Sequence, residues 1–138
     1  MDKTTVDVTW NEKMSFSTSV NGHEIILDAD GSVGGEDRGP RPKPLMLVAL
    51  GGCTGMDVIS ILRKMRVEVE SLRVRVEGEL TDEHPRYYRK IHVIYEFGGK
   101  DLPMDKLEKA VKLSEDVYCG VGAVYKKAVE VTSEIRIV

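Results

Sequence analysis

Apolar and polar residues alternate in "TTVDVTW" (4–10) and, after a short polar break, in "SFSTSV" (15–20), and "NGHEIILDAD" opens with Asn21-Gly22, a two-residue hairpin signal. Alternation puts every second side chain on one face of a strand, so these stretches predict a three-stranded antiparallel meander over residues 3–29. The rhythm then stops. "GSVGGEDRGPRPKP" (31–44) holds four glycines and three prolines, which marks a loop with a partly fixed path. It is long for a connection inside a compact domain, and such loops are more often functional than decorative.

From Leu45 to about Met65 the pattern is helical, with Pro44 suited to the first turn. Twelve of the eighteen residues from Leu45 to Leu62 are apolar, and the polar Thr54, Asp57 and Ser60 fall on one narrow stripe. A helix on the surface of a globular protein shows polar residues over about half its circumference. This one is apolar nearly all round, so something must surround it, and a chain of this length has few elements with which to do so. A second subunit covering part of the helix follows as an expectation. "VEVESLRVRVEGELTD" (67–82) and "YYRKIHVIYEFGG" (87–99) alternate again and predict a long hairpin with one solvated face. "MDKLEKAVKLSEDVY" (104–118) has apolar residues at helical spacing, "CGVGAVYKKA" (119–128) predicts a short helix or turn, and "VEVTSEIRIV" (129–138) a closing strand. The order βββ-α-ββ-α-α-β defines an α+β domain of mostly antiparallel sheet, a single unit over 1–138.

Composition narrows the function more than the fold. At 41% hydrophobic and 31% charged the chain is ordinary for a soluble protein. A net charge of −3, with Lys and Arg scattered, argues against nucleic acid as a partner. No run reaches the ~18 unbroken apolar residues of a membrane span, and the polar, alternating N-terminus does not read as a signal peptide. The expectation is a cytoplasmic protein without a membrane partner.

The chemistry rests on two cysteines, Cys53 and Cys119. No C-x-x-C occurs, and His23, His84 and His92 lie far from either cysteine and from one another, so neither metal nor cofactor is expected. A free cysteine is usually a small buried hydrophobe. Against that, Gly51, Gly52 and Gly55 flank Cys53, although each glycine inside a helix costs about 0.8–1.0 kcal/mol relative to alanine. The expectation drawn from this pattern is that something other than packed side chains approaches Cys53 closely. Asp57, at i+4, shares the cysteine's face, where a carboxylate would work against ionisation of the thiol.

"GPRPKPLMLVALGGCTGMDVISILRKM", with "LSEDVYCGVGAVYKKAVEVTSEIRI" downstream, resembles the OsmC/Ohr family of thiol-dependent hydroperoxide peroxidases, and within it the OsmC-like branch. The likeness spans essentially the whole chain. It implies an OsmC-like fold with sheets around a long buried central helix, in an intertwined homodimer with active sites at the subunit interface. It also implies roles: Cys53 as the thiol that attacks an organic hydroperoxide, Cys119 as the thiol that resolves the sulfenic acid to a disulfide, and an external dithiol as reductant. Met46, Leu50 and Met56 are the candidates for an apolar substrate pocket.

One departure stands out. Peroxidases of this family pair an arginine from the N-terminal region with a glutamate shortly before the cysteine. No arginine precedes Arg38 here, and Lys43 and Pro44 occupy the region where the glutamate is expected. Arg38, Arg41 or Lys43 is then the candidate cation for the Cys53 thiolate, with Glu36 or Asp37 as its partner. The competing function is a dimer of the same fold that binds a small apolar or thiol-reactive molecule at its interface without efficient turnover.

Overall fold

The computed structural model describes every residue from Met1 to Val138, in two units, Met1–Met46 and Leu47–Val138. In the first, β1 (Thr9–Glu12), β2 (Ser15–Val20) and β3 (His23–Leu27) form an antiparallel meander in that order. Asn21 and Gly22 both take left-handed backbone (φ 51° and 82°), as the tight β2–β3 turn requires. Pairing of β1 begins only at Thr9, opposite Ser17, so the alternation before it is strand-like in sequence but has no neighbour in this unit to pair with.

The segment after β3 is ordered from below by one carboxylate. Asp28 accepts backbone N–H bonds from Ala29 (2.7 Å), Glu36 (3.2 Å) and Arg38 (3.2 Å). Burial alone would raise its pKa, but the three donors and the Arg38 charge outweigh that, and the carboxyl lies below its usual value. The loop lies so close to the meander that a Cβ on Gly35 or Gly39 would fall on the carbonyl oxygen of Ala29 or Ile26. That close approach explains Gly35 and Gly39, while Gly34 takes left-handed backbone (φ 90°).

In the second unit β4 (Ser71–Leu80) and β5 (Tyr88–Gly98) form the expected long hairpin, in register from Ser71–Gly98 to Leu80–Tyr88. β6 (Glu130–Ile137) lies on the other side of β5 and runs parallel to it. The parallel pair follows from the connection: α2 (Met104–Leu113), a π-helical turn (Ser114–Tyr118) and α3 (Gly120–Tyr125) return the chain to the start of β5. Central in its sheet, β5 is mostly buried, whereas β4 keeps the alternation of a half-solvated strand.

Helix α1 (Leu45–Lys64) runs into this unit and buries one row, Leu50, Thr54, Val58 and Leu62, four residues apart. The core also contains Ile91, Val93, Tyr95 and Phe97 of β5 and Leu107 and Ala110 of α2. Burial all round the helix is therefore not achieved within the chain: Val48 is 65% and Met56 77% exposed. Helix α1 is 20 residues long, and an 18-residue stretch of it with mean hydropathy 1.9 meets the length and composition of a membrane span. Its buried Thr54, hydrogen-bonded to Tyr95 and Ser114, is the mark of a helix packed in protein.

Gly78 of β4 sets how closely neighbouring side chains approach the sheet, because a Cβ there would meet Tyr88 Cδ1 at 2.5 Å and Leu47 Cδ2 at 3.0 Å. Gly78→Ala is expected to cost about 1–3 kcal/mol through overpacking, seen as a lower urea midpoint at unchanged m value. An unchanged midpoint would contradict this packing.

Candidate active site

The two cysteines, 66 positions apart in the chain, meet in space. Cys53 sits mid-way along α1 and is partly exposed, while Cys119 is 3% exposed at the N-cap of α3. The sulfurs of Cys53 and Cys119 and a carboxylate oxygen of Asp57 all lie within 4.8 Å of one another. None of the three histidines belongs to this cluster; His92 instead bonds Thr132 and Glu134 on β6.

Local structure explains why Cys119 points here. The Cys119 N–H donates to the Ser114 carbonyl at 2.7 Å, a five-residue reach that closes the π-helical turn. Such turns are rare and occur often at functional sites. The next backbone bond sets the thiol, with Gly122 N–H donating to Cys119 Sγ at 3.3 Å. Burial pushes the Cys119 thiol up to about 11, with its hydrogen bond to Cys53 and the charges of Cys53 and Asp57 acting the same way against the Gly122 N–H.

Behind the sulfurs runs a line of polar groups through the core. Ser114 Oγ donates to Asp57 Oδ2 (3.0 Å) and contacts Thr54 Oγ1 (2.7 Å), which contacts Tyr95 OH (2.8 Å). Tyr95 OH donates to Glu115 Oε2 (3.1 Å), and Ser133 Oγ donates to the other Glu115 oxygen. Thr54, Ser114 and Tyr95 are all at most 1% exposed, and burial drives the Tyr95 phenol above its usual range. Sequence patterning marked Thr54 and Asp57 as polar on an apolar helix but had no signal for Ser114, Tyr95 or Glu115.

Two of the three glycines beside Cys53 serve packing. A Cβ on Gly51 would come within 3.2 Å of Val76 Cγ2, and one on Gly55 within 3.4 Å of Val74 Cγ2, so both let α1 lie close against β4. Gly52 faces open space. Leu50 is buried and reaches towards Gly122, Met56 lines an open groove of about 600 Å³ with Gly52, Ile59 and Val74, and Met46 belongs to the first unit.

The candidate cations also belong to the first unit, where most are engaged. Arg38 pairs with Glu12 (3.8 Å) and Glu36 (3.7 Å), and Glu36 also with Lys13. Arg41 pairs with Asp37 (2.5 Å) and Asp30 (3.5 Å). Lys43 is half-buried and forms no ion pair.

A cysteine-bearing helix against a three-stranded sheet, with a second thiol brought to it by the segment before the last strand, defines a class, and residues 34–134 match that class, the OsmC-like protein family. The chain belongs to this family. It is similar to Protein YhfA of Escherichia coli K12, with 35% identity over 132 residues covering 95% of this chain and 96% of that protein. Among solved structures it resembles a hypothetical protein from Aquifex aeolicus VF5 (TM-score 0.83, 31% identity, 100% and 99% of the two chains). An organic hydroperoxide resistance protein from Legionella pneumophila shares the fold at 14% identity (TM-score 0.68, 99% of each chain).

The unequal thiols give a direct expectation. Iodoacetamide at pH 8 should label Cys53 and spare Cys119, whose labelling should appear only as the pH approaches 11, read by peptide mass mapping. Equal labelling of both at pH 8 would contradict the burial and raised pKa of Cys119.

Proposed function

We propose that this chain is a two-cysteine, thiol-dependent peroxidase that reduces organic hydroperoxides to alcohols. The observation that carries this reading is the pairing of a reachable thiol, Cys53, with a buried one, Cys119, within 4.8 Å. The Cys53 thiolate attacks the terminal oxygen of ROOH; the O–O bond breaks, the alkoxide leaves as ROH with a proton, and Cys53 becomes a sulfenic acid. Cys119 then attacks that sulfur, an S–S bond replaces the S–O bond, and water departs. An external dithiol reduces the disulfide by exchange, becoming a disulfide itself and returning both thiols. Sulfur carries the electrons throughout, so no metal or cofactor is required. Family membership supports the reading, as do organic hydroperoxide resistance proteins of Legionella pneumophila and Bacillus subtilis that share the fold.

The acting species in this proposal is a cytoplasmic homodimer. Support comes from the apolar residues left uncovered on α1 (Val48, Met56) and near the start of the chain (Val6, Val8, Trp10). A second reading, binding without turnover, draws on the missing Arg/Glu pair and on a hollow of about 660 Å³ in the first unit, lined by Val8, Met14, Phe16, Leu27 and Val33, with Arg41 at its side.

Substoichiometric cumene hydroperoxide separates the two. The peroxidase should consume it with loss of two thiols per peroxide, Cys53→Ser should abolish consumption, and Cys119→Ser should stop at a trapped sulfenic acid. Native mass spectrometry of the same sample should show a dimer. Full retention of both thiols would select the binding reading, and a monomer alone would remove the interface.

A further inference from the structure

We propose that Asp57 is the proton acceptor for Cys119, and that the hydroxyls of Ser114, Thr54 and Tyr95 link it to Glu115 as a store for one proton. The inference rests on the disulfide-forming step above and assigns a catalytic residue to it.

A count of hydrogen atoms carries the argument. Asp57, Ser114, Thr54, Tyr95 and Glu115 are joined by four oxygen–oxygen contacts of 3.0, 2.7, 2.8 and 3.1 Å. Each contact needs one hydrogen. The three hydroxyls supply three, and an ionised carboxylate supplies none. With both end carboxylates charged, one contact inside the core joins two oxygens with no hydrogen between them. The three hydroxyl residues are too deeply buried for that oxygen pair to turn to solvent instead. In the structure Ser114 donates to Asp57; a fourth proton arriving on Asp57 reverses that contact and fills the line, with Asp57 donating to Ser114, Ser114 to Thr54, Thr54 to Tyr95 and Tyr95 to Glu115. Glu115 is half-buried, so the far end of the line opens towards solvent.

Cys119 is the group with a proton to give. The groups that face it are Cys53 and Asp57 from α1, Tyr95 from β5 and Tyr125 from α3, and Asp57 is the carboxylate among them. Burial, with the charges of Cys53 and Asp57, holds the Cys119 thiol protonated at neutral pH, so a base beside it favours resolution. The Asp57 carboxylate takes the Cys119 proton, the thiolate attacks the Cys53 sulfenic sulfur, and the S–O bond breaks as the S–S bond forms. Asp57 returns the proton to the departing hydroxide, releasing water.

The test leaves peroxide out. Dithiodipyridine caps Cys53 as a mixed disulfide and releases one thiopyridone; Cys119 then attacks that disulfide and releases a second. Electrostatics alone predicts that Asp57→Asn speeds both releases, because loss of a nearby negative charge favours each thiolate. The proton-acceptor role predicts instead that the first release is no slower while the second falls about 10²-fold at pH 7. The two proteins should converge as the pH nears 11, where Cys119 ionises unaided. Asp57→Glu should recover part of the loss, and Tyr95→Phe, which cuts the line before Glu115, should give a smaller one. A second release in Asp57→Asn as fast as or faster than the parent's would overturn the proposal, and so would a deficit that persists unchanged at pH 11. If the parent consumes no hydroperoxide while this pattern holds, the peroxidase reading fails and the role of Asp57 stands.

Discussion

The arrangement of the second unit depends on one cluster of hydroxyls. Thr54 from α1, Tyr95 from β5 and Ser114 from the π-helical turn after α2 meet in an otherwise apolar core at 2.7–2.8 Å. Leaving such a group buried without a partner costs about 1–3 kcal/mol, so each of the three elements is held to the others by a penalty for separation. Because Thr54 and Ser114 are fixed, their neighbours are fixed too: Cys53 precedes Thr54 on the helix, and Ser114 accepts the bond that closes the turn at Cys119. The sulfur pair is thus a consequence of the hydroxyl cluster one residue deeper in the core.

The same cluster accounts for the position of Asp57 beside the two thiols. A carboxylate near a cysteine opposes its ionisation, and on that ground alone Asp57 looks misplaced. Held by Ser114 beside both sulfurs, it can instead receive the proton that Cys119 must lose. In the first unit the arginines expected to supply a cation are largely engaged in organising their own loop, Arg38 with Glu12 and Glu36 and Arg41 with Asp37 and Asp30. The engaged arginines of the first unit and the polar line behind the cysteines are two separate features of this chain.

Local pattern was enough for most of the elements. Met104, Leu107, Ala110 and Val111 at helical spacing located α2, Asn21-Gly22 located the turn between β2 and β3, and alternation located β4 to β6. What stayed hidden depends on contacts between distant residues. The parallel pairing of β6 with β5 follows from the path of the intervening helices, and the π-helical turn has no composition of its own. Thr54 lies 41 residues from Tyr95 and 60 from Ser114, so nothing local marks their contact. Gly51 and Gly55 are ambiguous in sequence because a glycine seam looks alike whether it opens a path to a thiol or lets a helix lie on a strand, and only the position of Val74 and Val76 shows the packing role. Within the site, the two cysteines were legible from their surroundings and the polar line was not.

Non-reducing peptide mapping after one equivalent of tert-butyl hydroperoxide per reduced chain addresses the central claim most directly. A linked pair of peptides carrying Cys53 and Cys119, broken by added dithiol, is the expected product. Cys53 carried on to sulfinic acid, with Cys119 still a free thiol beside it, would contradict a resolving role for Cys119 and with it the chemistry assigned to the pair.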